Sequence, residues 1–126
     1  MANSPTEPEP QFFTASDGVR LAWREIGEGR PVVLLHGLFS SAVTNWIRYG
    51  HAKTIAARGF RVILPDLRAH GASDGPHDPA RYPPDILAED GLVLVAHLGL
   101  DAYDLGGYSL GARTAARMLA RGAAPR

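Results

Sequence analysis

The sequence predicts an α/β fold: a mainly parallel sheet with helices on both faces and an antiparallel hairpin on its N-terminal side. Three observations lead there. Residues 31–35 and 60–64 are short, continuous apolar runs, as expected of strands covered on both faces. Residues 43–58, 86–98 and 110–121 carry helical spacing between such runs. Ahead of them, Val19, Leu21 and Trp23 alternate with polar neighbours, the mark of a half-buried strand. Strands alternating with helices place ligands at the carboxyl ends of the strands.

In chain order, residues 1–10 are rich in proline and glutamate and are expected to form a disordered tail, leaving 11–126 as one domain. Phe12 and Phe13 lead into Ser16-Asp17-Gly18, a hairpin turn signal, and the alternating segment returns from it. Gly27 to Arg30 turns the chain into the apolar strand that ends at His36-Gly37. A helix is expected over 43–58, with Trp46, Ile55 and Ala56 inward and Gly59 closing it. The next strand, 60–64, stops at Pro65-Asp66. Residues 68–84 hold many Gly, Pro, Asp and His residues, which describes a long loop of the kind that lines sites. A helix follows over 86–98, then a strand over 102–105, and a last helix over 110–121 before Gly122 and Pro125.

Thirteen basic and thirteen acidic residues cancel without forming a like-charged run, so neither a nucleic-acid footprint nor a polybasic membrane patch is indicated. Without cysteine there is no disulfide, thiolate metal site or cysteine nucleophile, which fits a reducing compartment. No apolar run approaches the ~20 residues needed to cross a bilayer, and a cytoplasmic protein acting on a small molecule is expected.

The chemistry concentrates in Gly107-Tyr108-Ser109-Leu110-Gly111. A strand turning sharply into a helix holds a serine hydroxyl clear of the backbone at a helix N-terminus, which makes Ser109 the candidate nucleophile. The pentapeptide alone is weak, since chance supplies about 0.07 matches in a chain of this composition. Its context strengthens it: Gly107, Gly111, Ala112 and Ala115 are small where a helix must approach a sheet closely. His36-Gly37-Leu38 ends the preceding buried strand, where a loop can aim a backbone N–H at the same point. A tetrahedral intermediate needs two such donors, and Leu38 and Leu110 are nominated. His36 reads as structural and not as a base. The segment from Asp66 to Asp74 contains Arg68 and His70 and reads as a hydrogen-bonded loop; no histidine and carboxylate cluster has metal-ligand spacing, and neither a metal nor a cofactor is expected. His51, His77 and His97 read as a helix residue, a loop residue and a helix-end residue.

Taken in order, H-G-L at 36–38, D-L-R-A-H-G-A-S at 66–73 and G-Y-S-L-G at 107–111 resemble the N-terminal portion of the α/β-hydrolase superfamily, serine hydrolase type. The resemblance implies that Ser109 is the catalytic nucleophile, that the N–H groups of Leu38 and Leu110 form the oxyanion hole, and that His36, Gly37, Tyr108, Asp66, Arg68 and His70 shape the site. Ala69 stands where many relatives have glycine. Serine at 109, where related epoxide hydrolases and haloalkane dehalogenases carry aspartate, points to acyl chemistry of the esterase kind through an acyl-enzyme.

In this family the catalytic acid and histidine follow the serine, and residues 110–126 contain no His, Asp or Glu. The isolated chain is therefore expected to be a very weak hydrolase or none, with a complementing C-terminal chain or a homo-oligomer as the options for a partner. The alternative is a non-catalytic truncated half-fold that associates with itself or a partner through the exposed edge of the 102–105 strand.

Overall fold

The structure, a computed structural model, describes residues 7–125. The expected disordered tail falls largely outside them; within them, Arg24 Nε donates to the Pro8 carbonyl at 3.1 Å. Five strands form one sheet in the order β1-β2-β4-β3-β5. β1 (Gln11–Thr14) pairs antiparallel with β2 (Arg20–Ile26), and β2 pairs antiparallel with β4 (Phe60–Pro65). β3 (Arg30–Leu35) lies parallel between β4 and β5 (Asp104–Gly107). The hairpin and the parallel β4-β3-β5 set are those expected from the apolar patterns, and the two antiparallel pairings make the sheet a mixed one.

Alternation along β3 divides the core in two. Val33 and Leu35 face one side, where Phe13, Leu21, Trp23 and Ile63 meet α2 (Ile86–His97) and α3 (Leu110–Ala120) through Leu94, Ala115 and Met118. Leu34 faces the other, with Val62, Leu64 and Ala52 of α1 (His51–Ala56), and Trp46, Ile55 and Ala56 pack alongside. Helices thus cover both faces, which is why β3 and β4 read as unbroken apolar runs.

Two boundaries differ from expectation. The 43–58 helix is split into a π-helical turn at Val43–Ile47 and α1, because Gly50 between them takes φ +85°, a conformation that interrupts the ladder and that glycine adopts without strain. The last strand runs two residues later than 102–105, pairing Val32 with Asp104 and Leu35 with Gly107. Its glycines are the residues that let neighbours approach, as expected of Gly107. A β-carbon at Gly107 would collide with the Gly111 backbone, and one at Gly106 would press on Leu34 at 3.1 Å. No helix among the described residues is long and apolar enough to cross a membrane.

Candidate active site

Ser109 lies one residue beyond β5, after Tyr108, and immediately precedes the first residue of α3. Its backbone stands at φ +57°, ψ −115°, a region that a residue with a side chain occupies only when its surroundings hold it there. They do so from both sides. The Tyr108 N–H donates to the Leu35 carbonyl at 3.0 Å, pinning the turn to the end of β3, and the Gly111 N–H donates to the Tyr108 carbonyl at 2.9 Å. A β-carbon at Gly111 would strike the carbonyls of Leu35 and His36, so only glycine lets α3 start this close to β3. The result is an exposed serine whose side chain makes no hydrogen bond to the helix and, among the described residues, has no other partner.

The loop after β3 comes up beside it: a β-carbon on Gly37 would lie 3.5 Å from Ser109 Cβ. Residues 37–40 form a turn closed by the Ser40 N–H to the Gly37 carbonyl at 3.1 Å, with Phe39 at φ +60°. Positive φ at the third position is the type II pattern, in which glycine or asparagine is usual. The Gly37 N–H donates to Asn45 Oδ1 at 2.7 Å and the Phe39 N–H to His70 Nε2 at 3.0 Å. Of the four amides in this turn, that of Leu38 alone has no acceptor among the described residues. The Leu110 N–H, at the first helical position of α3, is likewise without one. An exposed hydroxyl flanked by unpaired amides can attack an electrophile while the amides receive the charge that develops.

The histidines divide by their ring partners. His36 is wholly buried: Nδ1 donates to the Gly37 carbonyl at 2.8 Å, and Nε2 accepts the Leu67 N–H at 2.9 Å, which assigns the Nδ1–H tautomer. Burial pushes its pKa down, so it stays neutral. His70 has the same tautomer, with Nδ1 donating to the Arg68 carbonyl at 2.9 Å. Neither ring has a lone pair free for the Ser109 proton. His97 stacks on Phe13 with Trp23 against its edge, and His51 lines a groove with Trp46 and Tyr108.

Asp66 and Arg68 act beneath the site. Asp66 accepts the N–H groups of Ala42 at 2.8 Å and Ala72 at 2.9 Å and pairs with Arg24 at 3.1 Å. The Arg68 side chain turns inward, paired with Asp17 at 2.7 Å and Asp90 at 2.9 Å. Burial works against its charge, but the hydrogen bonds to Asp17 and Asp90 outweigh this and raise its pKa. The Arg68 hydrogen bond draws Asp17 down to about 2, whereas burial pushes Asp90 up to about 6.

A cleft of about 660 Å³ opens among Leu38, His70, Tyr82, Ile86, Leu110 and Arg113, so that both residues with nominated amides line one cavity. Tyr108, 61% exposed, lies on the opposite side of the serine turn, against Asn45 and Trp46. Among the described residues no group of three or more His, Cys, Asp or Glu side chains could hold a metal ion. Sequence reasoning passed over Phe39, Asn45 and Asp90. Asp90 had a signal: it falls between Ile86 and Leu94 at four-residue spacing on the buried stripe of α2, where an unpaired charge would be costly.

Residues 30–125 match a family model described as alpha/beta hydrolase fold. The chain is 37% identical over 118 residues to a non-heme haloperoxidase of Rhodococcus erythropolis, covering 91% of this chain and 40% of that protein. It is 33% identical to an epoxide hydrolase of Caballeronia sordidicola, covering 81% of this chain and 30% of that protein. Among solved structures, an esterase from Exiguobacterium antarcticum superposes with a TM-score of 0.79 at 31% identity, over 90% of this chain and 41% of that one. The chain thus spans 30–40% of the length of these two curated relatives.

Proposed function

Because the chain belongs to the alpha/beta hydrolase family, we propose that it carries the nucleophile and oxyanion hole of a serine hydrolase acting on an ester or related acyl substrate. The observation that supports this most is the pairing of an exposed, positive-φ Ser109 with the unpartnered amides of Leu38 and Leu110 at the ends of adjacent parallel strands. Ser109 Oγ attacks the acyl carbon as its proton passes to a base, the carbonyl π electrons move onto oxygen, and the two N–H groups take up that charge. Collapse expels the alcohol or amine, which takes the proton from the base, leaving an acyl ester on Ser109 that water then cleaves to the free acid and the restored hydroxyl.

The reading requires a proton acceptor that neither His36 nor His70 can be, because their ring lone pairs are already engaged, and Ser109 has no hydrogen-bond partner among the described residues. Without that base a serine hydroxyl loses several orders of magnitude in rate, so these residues alone should turn over acyl substrates very slowly or not at all. A hydroxyl nucleophile, in place of the carboxylate that opens an epoxide, fits acyl transfer. In the full-length protein carrying this chain, a fluorophosphonate probe should label Ser109 and should fail to label Ser109→Ala. Absence of labelling, or equal labelling of the variant, would refute the reading.

A further inference from the structure

We infer that His70 is a positioning residue for the oxyanion hole: its Nε2 holds the Phe39 N–H and so keeps the 38–39 peptide from turning its carbonyl oxygen to the cleft beside the Leu38 amide. The inference rests on the roles proposed above for Ser109 and Leu38. Its starting point is that Phe39 combines φ +60° with 92% exposure. A β-substituted residue at positive φ costs about 1–3 kcal/mol, and an exposed ring provides no packing to offset this. The conformation must be held through the backbone, and the structure supplies one partner for that amide, His70 Nε2 at 3.0 Å.

The hold depends on ring chemistry. Nε2 can accept only as a bare lone pair, and the 2.9 Å bond from Nδ1 to the Arg68 carbonyl places the ring proton on the other nitrogen. Arg68 is in turn fixed between Asp17 and Asp90, so the anchor of the turn is carried down to the buried ion pairs. If the acceptor is removed, the 38–39 peptide can flip from the type II to the type I arrangement and relieve the strain at Phe39. The flip exchanges the Phe39 N–H for the Leu38 carbonyl on the side where His70 lines the cleft. A carbonyl oxygen beside a developing oxyanion repels it, which affects the chemical step more than binding.

The test uses the full-length protein with His70→Ala and His70→Gln, the latter restoring an acceptor oxygen near the Nε2 position. For fluorophosphonate, the maximal inactivation rate of His70→Ala should fall about 10- to 100-fold while the half-saturating probe concentration changes little, and His70→Gln should recover most of the loss. A ring ¹⁵N spectrum of the wild type should show the neutral Nδ1–H tautomer, and the Phe39 amide should lose protection from exchange in His70→Ala alone. Wild-type inactivation kinetics in His70→Ala, or a protonated Nε2 in the wild type, would overturn the inference. Should His70→Ala not fold, His70→Gln and the tautomer still decide it. A wild type that never labels refutes the hydrolase reading instead, while the tautomer and the Phe39 amide continue to report on the turn.

Discussion

The loops that leave β3 and β4 are neighbours at the carboxyl end of the sheet, yet they are built in opposite ways. After β4 the buried polar side chains are matched: Asp66 receives two amides and an arginine, Ser73 Oγ accepts from the Ala22 N–H and donates to the Asp66 carbonyl, and Arg68 has two carboxylates. Even its strained residue, Ala69 at φ +69°, has its N–H on the Asp74 carbonyl. After β3, and across at the β5 turn, strained Phe39 and Ser109 sit beside amides without acceptors. Paired side chains brace the first loop, whereas in the second region unpaired amides lie beside an exposed hydroxyl. The resemblance motifs run through both loops, so the motifs alone do not tell the reacting groups from their supports.

The sharpest way to break this comparison is to remove the support. Arg68→Met leaves the buried Asp90 carboxylate without its partner and should cost about 3–5 kcal/mol in urea unfolding. A loss below about 1 kcal/mol would mean that the network contributes little and that the two loops are not distinct in kind.

A second test asks how Asp90 stands within that network. Burial pushes its carboxyl from 3.8 up to about 6, so between these values the folded chain holds a proton that the unfolded chain has released. This contribution to stability is complete below 3.8 and lost as pH rises through about 6. His36 acts oppositely: burial lowers its pKa from 6.5, so its contribution is present above that value and fades as the pH falls. Asp90→Asn removes the first dependence and keeps the second. The stability of the wild type relative to Asp90→Asn should therefore drop by roughly 2 kcal/mol from about pH 4 to about pH 7, measured by thermal melts. A flat difference would show that Arg68 keeps the carboxylate ionised throughout.

Much of this architecture is legible in the residues. The apolar runs of β3 and β4 and the alternation at Val19, Leu21 and Trp23 follow from periods that burial imposes on side chains. The place of Ser109 in a turn between β5 and α3 was legible because a strand-turn-helix leaves few ways to place it. The β5 register was less accessible, since whether Gly106 and Gly107 interrupt a strand or allow close approach depends on Leu34 and Gly111, which are remote or on another element. The positive φ of Phe39 lay beyond reach for the same reason, since the partner of its amide is 31 residues away in sequence; the ring tautomer of His70 depends on the loop geometry that brings Nδ1 to the Arg68 carbonyl.

The finest test separates function from stability at one residue. Ser109 occupies φ +57°, ψ −115°, which glycine adopts freely. Its hydroxyl has no partner among the described residues and its side chain is exposed, so little contact is lost with the side chain. Relief of strain should then outweigh the added freedom of the unfolded glycine, and Ser109→Gly should stabilise the fold by about 1 kcal/mol while abolishing fluorophosphonate labelling. Ala69→Gly relieves a similar angle in the supporting loop and should give a similar gain with the hydroxyl still in place. If Ser109→Gly instead destabilises the chain, the serine side chain is part of the support, and the division between the two loops fails at the residue where it matters most.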